Sequence, residues 1–210
     1  MGVRSELLVA TRNAGKLHEL APMIETAGFR PLSLDDVGLA PVPDEEFLEQ
    51  YETFEENALA KARWFHLQVA TRDLAVLGDD SGLAVDALGG APGVRSKRWS
   101  GSALHGQALD DENNRLLVRS LSGTANRGAR FVCAAAIVWA EGEVVARGET
   151  AGVIIDHPRG SHGFGYDPHF LSDDLAMTLA EATREQKSLV SHRARAVGKV
   201  LREYVTRRTA

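Results

Sequence analysis

Phe131 to Ala140 is an unbroken run of ten apolar residues, the longest in the chain. A helix needs about 20 such residues to cross a bilayer, so the run cannot span one. Val132, Ile137 and the aromatic residues at its two ends favour a strand, and Ala129–Ala140 reads as one. Glu141-Gly142 then turns the chain, and Glu143–Glu149 reads as a second β-rich segment, so the two form a hairpin.

Helical and extended patterns alternate through the rest of the chain. Glu6–Ala10, Leu74–Leu77, Leu83–Val85 and Gly152–Ile155 are short apolar runs that predict strands. Asn13 is placed to cap a helix with Leu17, Leu20, Ala21 and Ile24 on one face, which Pro22 should kink or shorten. Thr53-Phe-Glu-Glu56 is a capping-box sequence, opening a helix with Phe54, Ala58, Ala62, Phe65 and Val69 on its core face. Asp110–Leu121 predicts a helix ended by Gly123. Thr183-Arg-Glu-Gln186 caps a last, long helix running to about Arg207. Strands with and without intervening helices imply an α/β fold with a mixed sheet. The segment from Asp35 to Glu49, with Pro41, Pro43 and acids at 44–46, reads as a loop between elements and not as a domain linker.

Composition narrows the function classes. Apolar residues make up 44% and charged residues 25%, near the globular average, which excludes a disordered or collagen-like chain. The 210 residues suffice for a single domain that buries roughly 70% of its unfolded surface. The net charge of −5 argues against a nucleic-acid or membrane-surface partner and leaves room for a phosphorylated small molecule. A single cysteine, Cys133, excludes an internal disulfide and a Cys-rich zinc site, and suits a cytoplasmic home. Met1–Ala10 is too short and too polar for a secretory signal.

Four segments carry chemistry. Thr11-Arg12-Asn13-Ala14-Gly15-Lys16 lies between a predicted strand and a predicted helix, where unsatisfied N–H groups attract anions. It reads as a phosphate cradle or as a plain turn with a surface lysine; the P-loop pattern itself is not met. Leu77-Gly-Asp79-Asp80-Ser81-Gly-Leu83 sets two carboxylates after an apolar strand. Such a pair can hold a hard cation with one acid and take a proton from water with the other, or be an acidic turn. Gly163-Phe164-Gly165-Tyr166-Asp167-Pro168 lacks the third glycine of a dinucleotide fingerprint. Its rings can stack on a planar base or tuck into the core. Lys187, Ser191, His192 and Arg193 crowd the start of the last helix, as ligands for phosphate or base, or as a solvated face. The other six histidines show no metal-ligand spacing.

Taken in order, these segments resemble the Ham1/RdgB-type nucleoside triphosphate pyrophosphatases, over Leu7 to about Val200. The T-x-N-x-x-K loop is Thr11, Asn13 and Lys16. A glutamate, Glu49, precedes T-F-x-x-N-A-x-x-K-A at Thr53, Phe54, Asn57, Ala58, Lys61 and Ala62. D-D-S-G-L runs from Asp79 to Leu83 and leads into A-L-x-G-x-P-G-V at Ala87–Val94. F-x-C-x-x-A is Phe131, Cys133 and Ala136, and G-F-G-Y-D-P and S-H-R close the set at Gly163–Pro168 and Ser191–Arg193. The chain departs from the pattern at Tyr51, where members often carry glycine two residues after the metal glutamate. Glu45, Glu46 and Glu52 are therefore alternatives to Glu49. Lys97-Arg-Trp99 stands where many members have A-R-Y.

The resemblance implies two lobes around a nucleotide-binding cleft and hydrolysis of inosine, deoxyinosine and xanthosine triphosphates to monophosphate and pyrophosphate. It implies Mg²⁺, with Mn²⁺ as a substitute, held by Glu49, Asp79 and Asp80, and Asp80 as the base for water attacking the α-phosphorus. The Thr11–Lys16 loop would cradle the phosphates and Ser81 would contact the nucleotide. Phe164 would stack on the purine, with Gly165, Tyr166 and Asp167 completing that wall and Lys187, His192 and Arg193 sensing the 6-oxo group. A homodimer is the family's usual state. The rivals are a pyrophosphatase of other nucleotide preference and a non-catalytic nucleotide-binding regulator.

Overall fold

A computed structural model describes residues 5–69 and 73–208. Residues 1–4 of the Met1–Ala10 segment lie outside the described residues. The chain divides into two compact units, one of Met1–Asp80, Cys133–Gly148 and Arg193–Ala210, the other of Ser81–Val132 and Glu149–His192.

In the first unit, β1 (Glu6–Val9) pairs in parallel with β2 (Arg30–Leu32) on one side and with β3 (Ala75–Val85) on the other. Successive side chains of a strand point to opposite faces. Leu7 and Val9 accordingly enter a core with Leu20, Ile24, Leu77, Cys133, Ile137 and Val200. Leu8 and Ala10 enter a second core with Leu32, Phe65, Val69 and Val76. This sheet is buried on both faces, which is why β1 reads as a continuous apolar run and not as an alternation.

α1 (Ala14–Thr26) links β1 to β2. Asn13 caps it, its Oδ1 accepting from the Gly15 and Lys16 N–H groups at 2.8 and 3.2 Å. The helix runs on through Pro22 to Thr26, so the proline does not shorten it. Proline removes one helical hydrogen bond, but Leu20 and Ile24 on either side are fully buried, and their packing keeps the helix in register. α2 (Phe54–Gln68) starts at the Thr53 cap, whose Oγ1 accepts from Glu56 N at 3.2 Å and donates to Glu56 Oε2 at 2.7 Å, so the cap forms without the reciprocal bond of a capping box. α2 lies so close to β3 that a Cβ on Gly78 would come within 2.5 Å of the Ala58 carbonyl oxygen. Small residues at 58, 62 and 78 permit that approach.

The two strands expected at Leu74–Leu77 and Leu83–Val85 are one 11-residue strand, β3, which passes straight through Asp79, Asp80 and Ser81. Aspartate, serine and glycine favour turns locally, but side chains from distant elements bind both carboxylates, and tertiary contacts override local preference. β4 (Gly128–Trp139) and β5 (Gly142–Ile154) form the hairpin, joined by Ala140-Glu141. β5 merges the two segments expected at Glu143–Glu149 and Gly152–Ile155. β3, β4 and β5 each contribute to both units.

The second unit adds α3 (Gln107–Ser120), which starts three residues earlier than expected, and two short strands, β6 (Phe170–Ser172) and β7 (Met177–Thr178). Strand neighbours follow the order β2-β1-β3-β4-β5-β6-β7, and β5–β6 and β6–β7 are antiparallel, so the sheet is mixed. Its core gathers Leu83, Val85, Leu117, Leu121, Phe131, Tyr166 and Phe170. The long last helix is in fact two, α4 (Arg184–Val190) and α5 (His192–Arg208). Ser191 breaks them with extended backbone at φ −64° and ψ 145°, and Thr150 Oγ1 donates to the Val190 carbonyl at 2.7 Å. No helix among the described residues is long and apolar enough to cross a membrane.

Candidate active site

Asp79 and Asp80 are adjacent on β3 and both are buried. Each is supplied from a different direction. Asp79 Oδ2 accepts from Lys16 Nζ at 3.1 Å and from Arg193 Nε at 3.2 Å, while the Asp79 carbonyl accepts from Lys61 Nζ at 2.8 Å. Arg193 Nη1 pairs in turn with Glu19, and Lys61 pairs with Glu49. Asp80 Oδ2 accepts from Asn57 Nδ2 at 2.8 Å. Asn57 is itself fixed by the Tyr51 backbone, whose N–H donates to Asn57 Oδ1 at 2.9 Å.

The two acids are driven apart in acidity. Burial works to raise the Asp79 pKa, but Lys16, Arg193 and Lys61 outweigh it and hold this carboxyl well below the usual range. Burial also dominates at Asp80, where Lys16 opposes it and the Glu49 charge adds to it, so Asp80 is raised. Glu49 resists burial through Lys61 and Lys16 and is lowered. Neighbouring carboxyls shifted in opposite directions are the usual mark of divided acid–base roles. Cys133 lies in the core of the same unit, where burial pushes its thiol up to about 12 and leaves it inert.

A hard divalent cation suits these residues. Asp79 Oδ1 is buried and has no hydrogen-bond partner, and the neighbouring donors are the carboxylates of Glu49 and Asp80. Oxygen donors of this kind favour Mg²⁺ or Mn²⁺ over zinc. Among the described residues no three such side chains form a ready-made cluster, and the Lys61 ammonium pairs with Glu49. Of the four candidate glutamates, Glu49 is thus tied to the Asp79 carbonyl through Lys61, whereas Glu45 is bound elsewhere.

That elsewhere is Arg12. Its Nε and Nη2 donate to the two oxygens of Glu45 at 3.0 and 2.8 Å, and Nη1 donates to the Leu39 carbonyl at 2.7 Å. The guanidinium fork fastens the 39–45 segment to the Thr11–Lys16 loop. In that loop Thr11 Oγ1 accepts from Asn13 N at 3.1 Å. The Gly15 and Lys16 N–H groups already go to Asn13, so the Lys16 ammonium is what the loop brings to Asp79.

The second unit holds the aromatic segment. Asp167 Oδ2 accepts from Phe164 N at 3.1 Å and from Lys187 Nζ at 2.7 Å. Gly163 has φ +77°, and a Cβ there would sit 2.1 Å from Asp167 Oδ2, so only glycine fits. Lys187 Nζ stands 5.2 Å from the Phe164 ring centroid. Phe164 is half-buried, while Tyr166 is buried with its hydroxyl donating to the Ser96 carbonyl at 2.7 Å. Tyr166 therefore supports the segment from behind. Ser81 is half-buried on β3.

Each of the expected base-sensing residues Lys187, His192 and Arg193 has a defined contact. Lys187 goes to Asp167, and His192 stacks on Phe131 at 4.8 Å with 11° between the rings. Arg193, the next residue, donates to Asp79. Asn57, Lys61 and Glu19 are site residues that sequence reasoning did not assign. Asn57 and Lys61 had a readable signal, being polar residues four apart within the apolar face of α2; Glu19 had none.

The sequence pattern of the Ham1 family matches residues 7–203. A relative from Mycolicibacterium paratuberculosis named dITP/XTP pyrophosphatase is 50% identical, over 92% of either chain. The crystal structure of a nucleoside-triphosphatase, dITP/XTP pyrophosphatase, from Mycobacterium abscessus is 46% identical with a TM-score of 0.69, over 93% of this chain and 98% of that one. A Ham1 protein structure from Coxiella burnetii, 29% identical, superposes with a TM-score of 0.81 over 96% of this chain and 99% of the other.

Proposed function

The chain belongs to the Ham1 family, and on that premise we propose that it hydrolyses the non-canonical purine nucleoside triphosphates ITP, dITP and XTP to the monophosphate and pyrophosphate, acting throughout its length as one pyrophosphatase domain. The observation that carries this reading is the pair of adjacent buried acids on β3, Asp79 bound by Lys16 and Arg193 and Asp80 bound by Asn57.

In this mechanism a water oxygen forms the new bond to the α-phosphorus, its proton passes to Asp80, and the bond from that phosphorus to the bridging oxygen of pyrophosphate breaks. Asn57 orients the Asp80 carboxylate that takes the proton. Lys16 and Arg193 keep Asp79 ionised through Oδ2, while Oδ1 has no hydrogen-bond partner. Lys16 turns its ammonium to the phosphates within the Thr11–Lys16 loop, and Ser81 contacts the nucleotide. Glu49, Asp79 and Asp80 would hold Mg²⁺, which supplies charge neutralisation on the phosphates when bound.

Phe164 stacks on the purine. Lys187 lies beside it and donates to a 6-oxo group, whereas the 6-amino group of adenine would meet a donor with a donor. A site that pairs with one polar group rejects an analogue that cannot pair by large factors. The reading extends to a homodimer acting in the cytoplasm, where the nucleotide pool is. Pyrophosphate release from ITP, dITP, XTP, GTP and ATP tests it: turnover of the first three, and little of ATP, is expected. A protein that binds these nucleotides and releases no pyrophosphate would be a regulator instead.

A further inference from the structure

Two side chains on one face of α3 grip the aromatic segment by its backbone. Asp110 Oδ2 accepts the Gly165 N–H at 2.9 Å, and Asn114 Nδ2 donates to the Gly165 carbonyl at 2.9 Å. Residues four apart on a helix project to the same side, so the pair forms a two-point clamp on the donor and acceptor of one residue. Gly165 has φ +64°, a conformation in which glycine is unstrained. On one side of it Tyr166 is anchored to the Ser96 carbonyl, and on the other Phe164 is held by its N–H on Asp167. Asn114 is buried, and its Oδ1 has no hydrogen-bond partner. The Nδ2 donation to Gly165 is thus the hydrogen bond that this buried amide makes with its other end.

From this clamp we propose that Asp110 and Asn114 are positioning residues of the base site: by fixing Gly165 they set the attitude in which Phe164 presents its ring, and so the affinity for the purine. The inference rests on the reading that Phe164 stacks on the base. Ordering a stacking ring before the ligand arrives removes an entropy cost that binding would otherwise carry. Neither residue is among those assigned to the reacting phosphate, so the effect falls on binding and not on the chemical step.

The test compares Asp110→Ala, Asp110→Asn and Asn114→Ala in steady-state pyrophosphate release from ITP, with amide hydrogen exchange at Gly165 as a readout independent of activity. Asp110→Ala and Asn114→Ala should each raise KM about tenfold, the worth of roughly one hydrogen bond, with kcat within about twofold. Asp110→Asn retains an oxygen that accepts the Gly165 N–H and should restore the wild-type KM. Exchange at Gly165 should accelerate in Asp110→Ala and not in Asp110→Asn. Unchanged KM in both alanine variants overturns the inference, as does an Asp110→Asn variant as impaired as Asp110→Ala. A wild-type protein silent on ITP and XTP overturns the proposed function and this role with it. An active wild type with unaffected alanine variants overturns the clamp alone.

Discussion

Arg193 donates through Nε to Oδ2 of Asp79 at 3.2 Å, with both side chains almost wholly out of water. Removing one member of such a pair strands the other charge in a medium that solvates it poorly. Arg193→Ala is expected to cost about 3–5 kcal/mol of folding stability, read from urea unfolding. Because Arg193 acts through Asp79, kcat/KM should fall by the same factor for ITP, XTP and ATP. A larger drop on ITP than on ATP would return Arg193 to reading the base.

Asp80 governs the pH dependence. Burial raises its pKa in the metal-free protein, and Asp80→Asn should lower kcat by about 10²–10⁴ when Mg²⁺ is supplied. The sign for folding is opposite to that of a salt-bridged acid. The folded state binds this proton more tightly than the unfolded chain, so ionised Asp80 costs stability that is intact at low pH and lost as pH rises through the folded pKa. In chelator at pH 7, Asp80→Asn should thus resist urea better than the wild type, with the advantage shrinking in acid. Equal midpoints at pH 7 would contradict the shift.

Divalent metal should be required. Chelation is expected to abolish turnover and Mg²⁺ to restore it, with Mn²⁺ as a substitute, because the donors are carboxylates. Mg²⁺ should also raise Tm, since a ligand that binds only the folded state stabilises it. Full activity in excess chelator rules the metal out.

Gly163→Ala tests the aromatic segment. The new Cβ would fall 2.1 Å from Asp167 Oδ2 at a φ of +77°, forcing apart the contact that holds Phe164 N and Lys187. A loss of about 1–3 kcal/mol of stability is expected from the strained backbone. KM for ITP should rise with kcat nearly unchanged. A variant with wild-type KM would show that Phe164 does not need Asp167.

What the sequence determined by itself is local. Asn13, Thr53 and Thr183 cap the helices that their motifs announce, because each cap joins residues two or three apart and needs no other part of the chain. The mixed α/β character and the hairpin followed from residue patterning, and the ordered motifs carried the family resemblance. Tertiary structure decided the rest. Asp79 and Asp80 stay within one unbroken strand because Lys16, Asn57, Lys61 and Arg193 reach them from elsewhere. Arg193 meets Asp79 across 114 residues of sequence, and Glu45 meets Arg12 across 33. A buried charge takes whichever partner the fold brings within hydrogen-bonding reach, and over such separations that choice depends on three-dimensional packing, which no spacing along the chain encodes.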